Sequence, residues 1–161
     1  MFSQALRTRA ETLLAAARAK GLKIATAESC TGGLIAGLMT EIPRSSDVVE
    51  RGFITYSNDA KEEMLGVPRD LLIAHGAVSE QVAHAMAQGA LAHSKANIAV
   101  AITGVAGPGG GSDDKPVGLV HIAAARGEKC IHRECRFGDI GRTEVRLASV
   151  EVALELMSQL V

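Results

Sequence analysis

The sequence has no tryptophan, one tyrosine, three phenylalanines, three cysteines and no surplus of either charge. Each scarcity narrows what the chain can be. Lys and Arg number 17 against 18 Asp and Glu, a formal net charge of -1, so no global basic field draws it to nucleic acid or to an anionic lipid surface. Neither partner is expected. Cys30, Cys130 and Cys135 leave one thiol over under any pairing and form no CxxC, which fits a reducing compartment better than a secreted protein. The expected location is the cytoplasm. In the first 21 residues, MFSQALRTRAETLLAAARAKG, the apolar positions are interrupted by Arg7, Arg9, Glu11 and Arg18, so neither a signal peptide nor a membrane span fits there.

What is present is ample core material: 161 residues, 47% hydrophobic, enough for one domain spanning 1–161. Phe2, Leu6, Leu13, Leu14 and Ala17 recur at helical spacing, with Gly21 where a C-cap belongs. LKIATA (22–27) reads as a buried strand, followed by a tight turn and the helix LIAGLMTEI. VVERGFITYS (48–57) is a second strand, and helices are expected over 59–65, 68–75 and from Ser79 to His93. NIAVAIT (97–103) is a continuous apolar run of the kind covered on both faces. A glycine-rich loop then leads to strands at 117–126 and 129–137, joined by Gly127-Glu128 as a hairpin, and a last helix runs from Arg142 to Leu160. The expected architecture is a single three-layer α/β/α domain with a mixed, mostly parallel sheet.

AESCTGG (27–33) places Ser29 at a strand-to-helix junction. There, unpaired N–H groups and the helix dipole favour negative charge, and Gly32 and Gly33 let a ligand approach the backbone. A nucleophile in that place has oxyanion stabilisation at hand. Read locally, Ser29 can equally be an ordinary N-cap, the commoner role for an isolated S-x-x-G-G. A serine nucleophile needs a base. His84 and His93 fall on a helix, His121 and His132 on strands, and His75 at a helix end, so no Ser-His-Asp arrangement is supported. Lys61 is the other option. It lies in the first turn of a helix capped by Asn58 or Asp59, where the dipole disfavours a cation. Position alone favours an exposed lysine paired with Asp59, Glu62 or Glu63.

Tyr56, the sole tyrosine, can relay a proton or stack on a flat ring, or simply pack as a strand residue. The loop TGVAGPGGGS (103–112) completes neither a P-loop nor G-x-G-x-x-G, yet it leaves a buried strand where ligands bind in open α/β sheets. Thr103 and Gly104 are therefore candidates to line a site. Arg142, opening the last helix, has the fork geometry to hold a carboxylate or phosphate. Cys130, His132 and Cys135 lack a fourth ligand, and alternation sends the two cysteines to opposite faces. No metal is expected there. Cys30 is a minor alternative nucleophile, should the helix start lower its thiol pKa.

Taken in order, TAESCTGG, ERGFITYSNDAKEEMLGV, HGAVSEQVA, AITGVAGPGGGS, KPVGLVHIA and GDIGR resemble the CinA C-terminal domain family over nearly the whole chain. Stand-alone members of that family are nicotinamide-nucleotide amidases. The resemblance implies hydrolysis of nicotinamide mononucleotide to nicotinate mononucleotide and ammonia, with no cofactor and no catalytic metal. It also implies a three-layer α/β fold and a homodimer. By position, Ser29 resembles the nucleophile, Lys61 its base and Tyr56 a helper. Cys30, Thr31, Gly32 and Gly33, with Thr103 and Gly104, resemble the substrate pocket, and Arg142 a phosphate ligand. The competing expectation is a non-catalytic nucleotide- or partner-binding module linked to competence or DNA damage. A Ser-Lys hydrolase of a different amide is another, although no S-x-x-K spacing is present.

Overall fold

The computed structural model describes residues 2–161. The elements in order are α1 (Gln4–Ala19), β1 (Ile24–Glu28), α2 (Leu34–Glu41), a 3₁₀ turn (Ser45–Asp47), β2 (Val49–Ile54), α3 (Asn58–Leu65), α4 (Arg69–His75), α5 (Glu80–Ala92), β3 (Ile98–Gly104), β4 (Leu119–Arg126), β5 (Lys129–Arg136) and α6 (Arg142–Ser158). Serines start three of the helices: Ser3, Ser57 and Ser79 each accept a hydrogen bond from a backbone N–H in the first turn. The cap of α3 is thus Ser57, one residue before the Asn58 or Asp59 expected from sequence. A hydroxyl directly ahead of Asn58 is already in place to accept from Ala60 N–H, at 3.0 Å.

The five strands form one sheet in the order β2-β1-β3-β4-β5. β2, β1 and β3 run parallel, while the β3–β4 and β4–β5 pairings are antiparallel. The sheet is mixed as expected but not mostly parallel. The reason is connectivity: a parallel return needs a crossover element, and between β3 and β4 the chain supplies only the glycine-rich loop. The Gly127-Glu128 hairpin then fixes the last pair.

Period-two alternation splits the core into two layers. One face carries Ile24, Ile98, Val100, Ile102, Val120 and Ile122 under α1, α2 and α6. The opposite face carries Ala25, Ala27, Ala99, Ala101, Ala123 and Ala125 under residues of α3, α4 and α5. Small side chains let α5 lie close to the sheet, and Gly89 lets α5 and α3 touch. A methyl group there would come within 2.1 Å of the Leu65 carbonyl oxygen. No helix of the described residues is long and apolar enough to cross a membrane.

Candidate active site

The three parallel strands end together, with Glu28 in register with both Ile54 and Ile102. Their carboxyl ends open into a cleft of about 290 Å³, the usual place for a ligand in an open α/β sheet. Ser29 continues β1 by one residue, donating its N–H to the Ile102 carbonyl at 3.0 Å. From Lys61 on the first turn of α3, Nζ reaches Ser29 Oγ at 3.0 Å, the Thr55 carbonyl at 2.8 Å and the Tyr56 carbonyl at 3.4 Å.

Lys61 is 1% exposed and, among the described residues, has no carboxylate partner: Asp59 and Glu63 face solvent, and Glu62 accepts from Arg69 at 3.0 Å. The exposed, acid-paired lysine favoured by position is therefore not what forms. Burial pulls its pKa down from 10.5 to about 8, because a low-dielectric site penalises the ammonium. The consequence is chemical. As an ammonium, Lys61 donates to all three oxygens. As an amine it can keep donating to the two carbonyls and turn its lone pair to the Ser29 hydroxyl.

The start of α2 differs from expectation. Its first N–H groups are already taken by Glu28, whose buried carboxylate accepts from Gly33, Ile35 and Ala36 at 3.0, 3.1 and 2.9 Å. Ser29 caps nothing, since the N-cap is Gly33 at φ 96° with no side-chain bond. The dipole that was expected to favour charge beside Ser29 instead stabilises Glu28. Among the described residues, the Cys30 and Thr31 N–H groups have no protein acceptor, and they are the donors left beside Ser29. Sequence reading passed over Glu28. Its signal was a carboxylate at the end of a buried strand, which has to find donors of its own.

Arg146 was missed too. It donates from Nε to the Cys30 carbonyl at 3.1 Å and from Nη2 to the Thr31 carbonyl at 3.0 Å, bracing the turn after Ser29. One helical turn separates it from Arg142, so the two share a face of α6. Arg142 bonds the Gly107 carbonyl at 2.7 Å and the Tyr56 hydroxyl at 3.0 Å. It thereby ties the glycine-rich loop to a tyrosine that is 63% exposed at the cleft mouth. Tyr56 lies past the end of β2, on the loop into α3.

Thr103 donates to the Ala77 carbonyl at 2.7 Å, fixing the opposite rim. At Gly104 a methyl group would press to 2.8 Å from the Leu119 carbonyl oxygen. Ser29, Cys30, Tyr56, Lys61, Thr103 and Arg142 thus meet in one cleft together with Gly104. Thr31, Gly32 and Gly33 do not line it: Thr31 is buried, and the glycines supply the left-handed turn at φ 57° and 96°. Burial raises the Cys30 thiol to about 11, which leaves it protonated and a poor nucleophile at neutral pH. Cys135 packs in the α6-side core and Cys130 against the α5-side core, on opposite faces as the alternation required.

The model of the CinA C-terminal domain family matches residues 6–161. The nicotinamide-nucleotide amidohydrolase PncC of Escherichia coli K12 is 51% identical over 146 residues, covering 89% of this chain and 87% of that protein. A competence-damage inducible protein of Caldicellulosiruptor bescii is also 51% identical, over 86% of this chain, but the match spans only 33% of that longer protein. Among solved structures, the competence/damage inducible protein CihA of Agrobacterium tumefaciens superposes with a TM-score of 0.97 at 56% identity, covering 99% of this chain and 98% of that one.

Proposed function

Because the chain belongs to the CinA C-terminal domain family, we propose that it is a nicotinamide-nucleotide amidohydrolase, converting nicotinamide mononucleotide to nicotinate mononucleotide and ammonia. Its likeness to PncC over most of both chains supports the substrate. The observation that carries the chemistry is the 3.0 Å contact between Ser29 Oγ and a buried lysine without a carboxylate partner. That pair supplies a nucleophile and its base together.

In this reading the Lys61 amine removes the Ser29 proton as Oγ attacks the carboxamide carbon. The Cys30 N–H, next after the nucleophile, stabilises the tetrahedral oxyanion. The Lys61 ammonium then returns the proton to the leaving nitrogen, which departs as ammonia and leaves an ester on Ser29. Water attacks that ester with Lys61 again taking the proton, and collapse restores the Ser29 hydroxyl and frees the carboxylate product. The Tyr56 hydroxyl and Arg142, 3.0 Å apart, stand at the cleft mouth, where the guanidinium has donors left for a phosphate and the phenol a flat face for the pyridine ring. The chain acts as one domain in the cytoplasm, binding no nucleic acid. Exposed Ile54, Met64 and Ile73 offer apolar surface to a second copy in a homodimer.

The test is ammonia release from nicotinamide mononucleotide by purified protein, with EDTA in one arm. Release should survive EDTA and Cys30→Ala and vanish with Ser29→Ala. A folded wild-type protein that releases no ammonia from this nucleotide overturns the assignment.

A further inference from the structure

Away from the cleft, α5 and the β4–β5 hairpin bring Glu80 and His84 together with His121 and His132, two pairs far apart in sequence. Glu80 and His84 lie one turn apart on α5, and His132 rises from β5 beneath them. Glu80 Oε1 is 3.6 Å from His132 Nδ1 and 3.8 Å from His84 Nε2. One donor atom from each of the three residues falls within 4.8 Å of the others. The separations are too long for hydrogen bonds. They are close to the roughly 3.4 Å between donors around a tetrahedral zinc with bonds of about 2.0–2.1 Å. Among the described residues, His84 Nε2 is buried with no hydrogen-bond partner, an orphaned polar atom 3.8 Å from the same carboxylate oxygen.

His121 supplies the outer support. Its Nδ1 is 2.9 Å from His132 Nε2, with the two rings edge to edge and nearly coplanar at a 16° interplanar angle. Such a contact needs one donor and one acceptor. When His132 donates through Nε2, its Nδ1 carries the lone pair that faces Glu80 and His84. A metal-ligating histidine is commonly oriented in just this way, by a partner on its other nitrogen.

We propose that Glu80, His84 and His132 form a zinc-class transition-metal site, with His121 orienting His132 and solvent in the fourth position. Two imidazoles and a carboxylate suit zinc, cobalt or nickel rather than magnesium or calcium. The site pins the first turn of α5 to the hairpin. That turn begins at Ser79, two residues after the Ala77 carbonyl that Thr103 holds at the cleft rim, so the metal acts as a structural clamp outside the cleft. Expectation from sequence grouped His132 with Cys130 and Cys135 and rejected a site. The fold instead gives His132 partners on α5.

The experiment titrates chelator-stripped protein with Zn²⁺ against a chromophoric chelator, and with Co²⁺ by visible absorption, in parallel with thermal unfolding. The expected result is one equivalent bound per chain and d–d bands of four- or five-coordinate cobalt without a thiolate charge-transfer band. Tm should rise with Zn²⁺ and not with Mg²⁺. His84→Ala, at a half-buried helix position, should weaken binding at least tenfold, and Glu80→Gln should do so by a smaller factor. Absence of stoichiometric binding, a thiolate band, or affinity unchanged in both variants would overturn the site.

Discussion

The two faces of the sheet are built from different side chains and serve different ends. Under α1, α2 and α6 the strands present isoleucine and valine, which fill volume. Under α5 they present alanine, which gives volume up so that a helix can come close. The chemistry sits at the edge of the alanine side. Glu28 and Ser29, neighbours in the chain, divide between the two faces. Glu28 turns to α2 and occupies its N-terminus, whereas Ser29 follows Ala25 and Ala27 in the alternation and meets Lys61 from α3. Close packing on one face thus makes the buried lysine on α3 possible, and bulk on the other holds the strand that leads into Ser29.

The comparison can be broken from either side. Ile122→Ala on the bulky face should cost about 2–5 kcal/mol in denaturant unfolding while leaving kcat per folded molecule nearly unchanged. A large fall in kcat at intact stability would deny the division of labour. On the close-packed side, Gly89→Ala forces a methyl group against the Leu65 backbone and should cost about 1–3 kcal/mol. Leu65 lies one turn beyond Lys61 on α3, so this variant, unlike the first, should also lower kcat by displacing Nζ from Ser29. Arg142→Ala should raise KM about tenfold, the scale of one charge-assisted hydrogen-bonding group, with a smaller change in kcat.

The subtlest prediction concerns pH. With the Lys61 pKa at about 8 in the free protein, the neutral amine grows as pH rises, so kcat/KM should climb about tenfold per unit below pH 8 and level above it. Stability carries the same signature. The unfolded chain, with its lysine near 10.5, binds more protons than the folded one, so wild-type stability relative to Lys61→Met should rise from about pH 8 to 10.5. A flat difference across that window would show that the lysine is not perturbed.

Much of this was legible in the sequence because it was local. The apolar run at 97–103, the Gly127-Glu128 hairpin and the helix after Ser79 follow from short-range pattern and turn chemistry. The family resemblance pointed to Ser29 and Lys61. Local reasoning set Lys61 among Asp59, Glu62 and Glu63 and favoured an exposed ion pair. Its burial depends on α3 resting against Gly89 of a helix distant in sequence, which no window around Lys61 contains. Glu28 was overlooked for a similar reason, since its three donors come from the far side of a turn whose shape is set by two left-handed glycines. The histidines on α5, β4 and β5 became neighbours only through strand order and helix placement.

Lys61→Met tests the central claim most directly: turnover of nicotinamide mononucleotide is measured beside Tm for this variant and wild type. Loss of the base should reduce ammonia release by at least about a hundredfold, the lower end of general-base contributions. Tm should hold or rise, because a buried ammonium has been replaced by an apolar chain of similar reach. Turnover within tenfold of wild type in a folded variant would contradict the assignment of Lys61 as the base for Ser29.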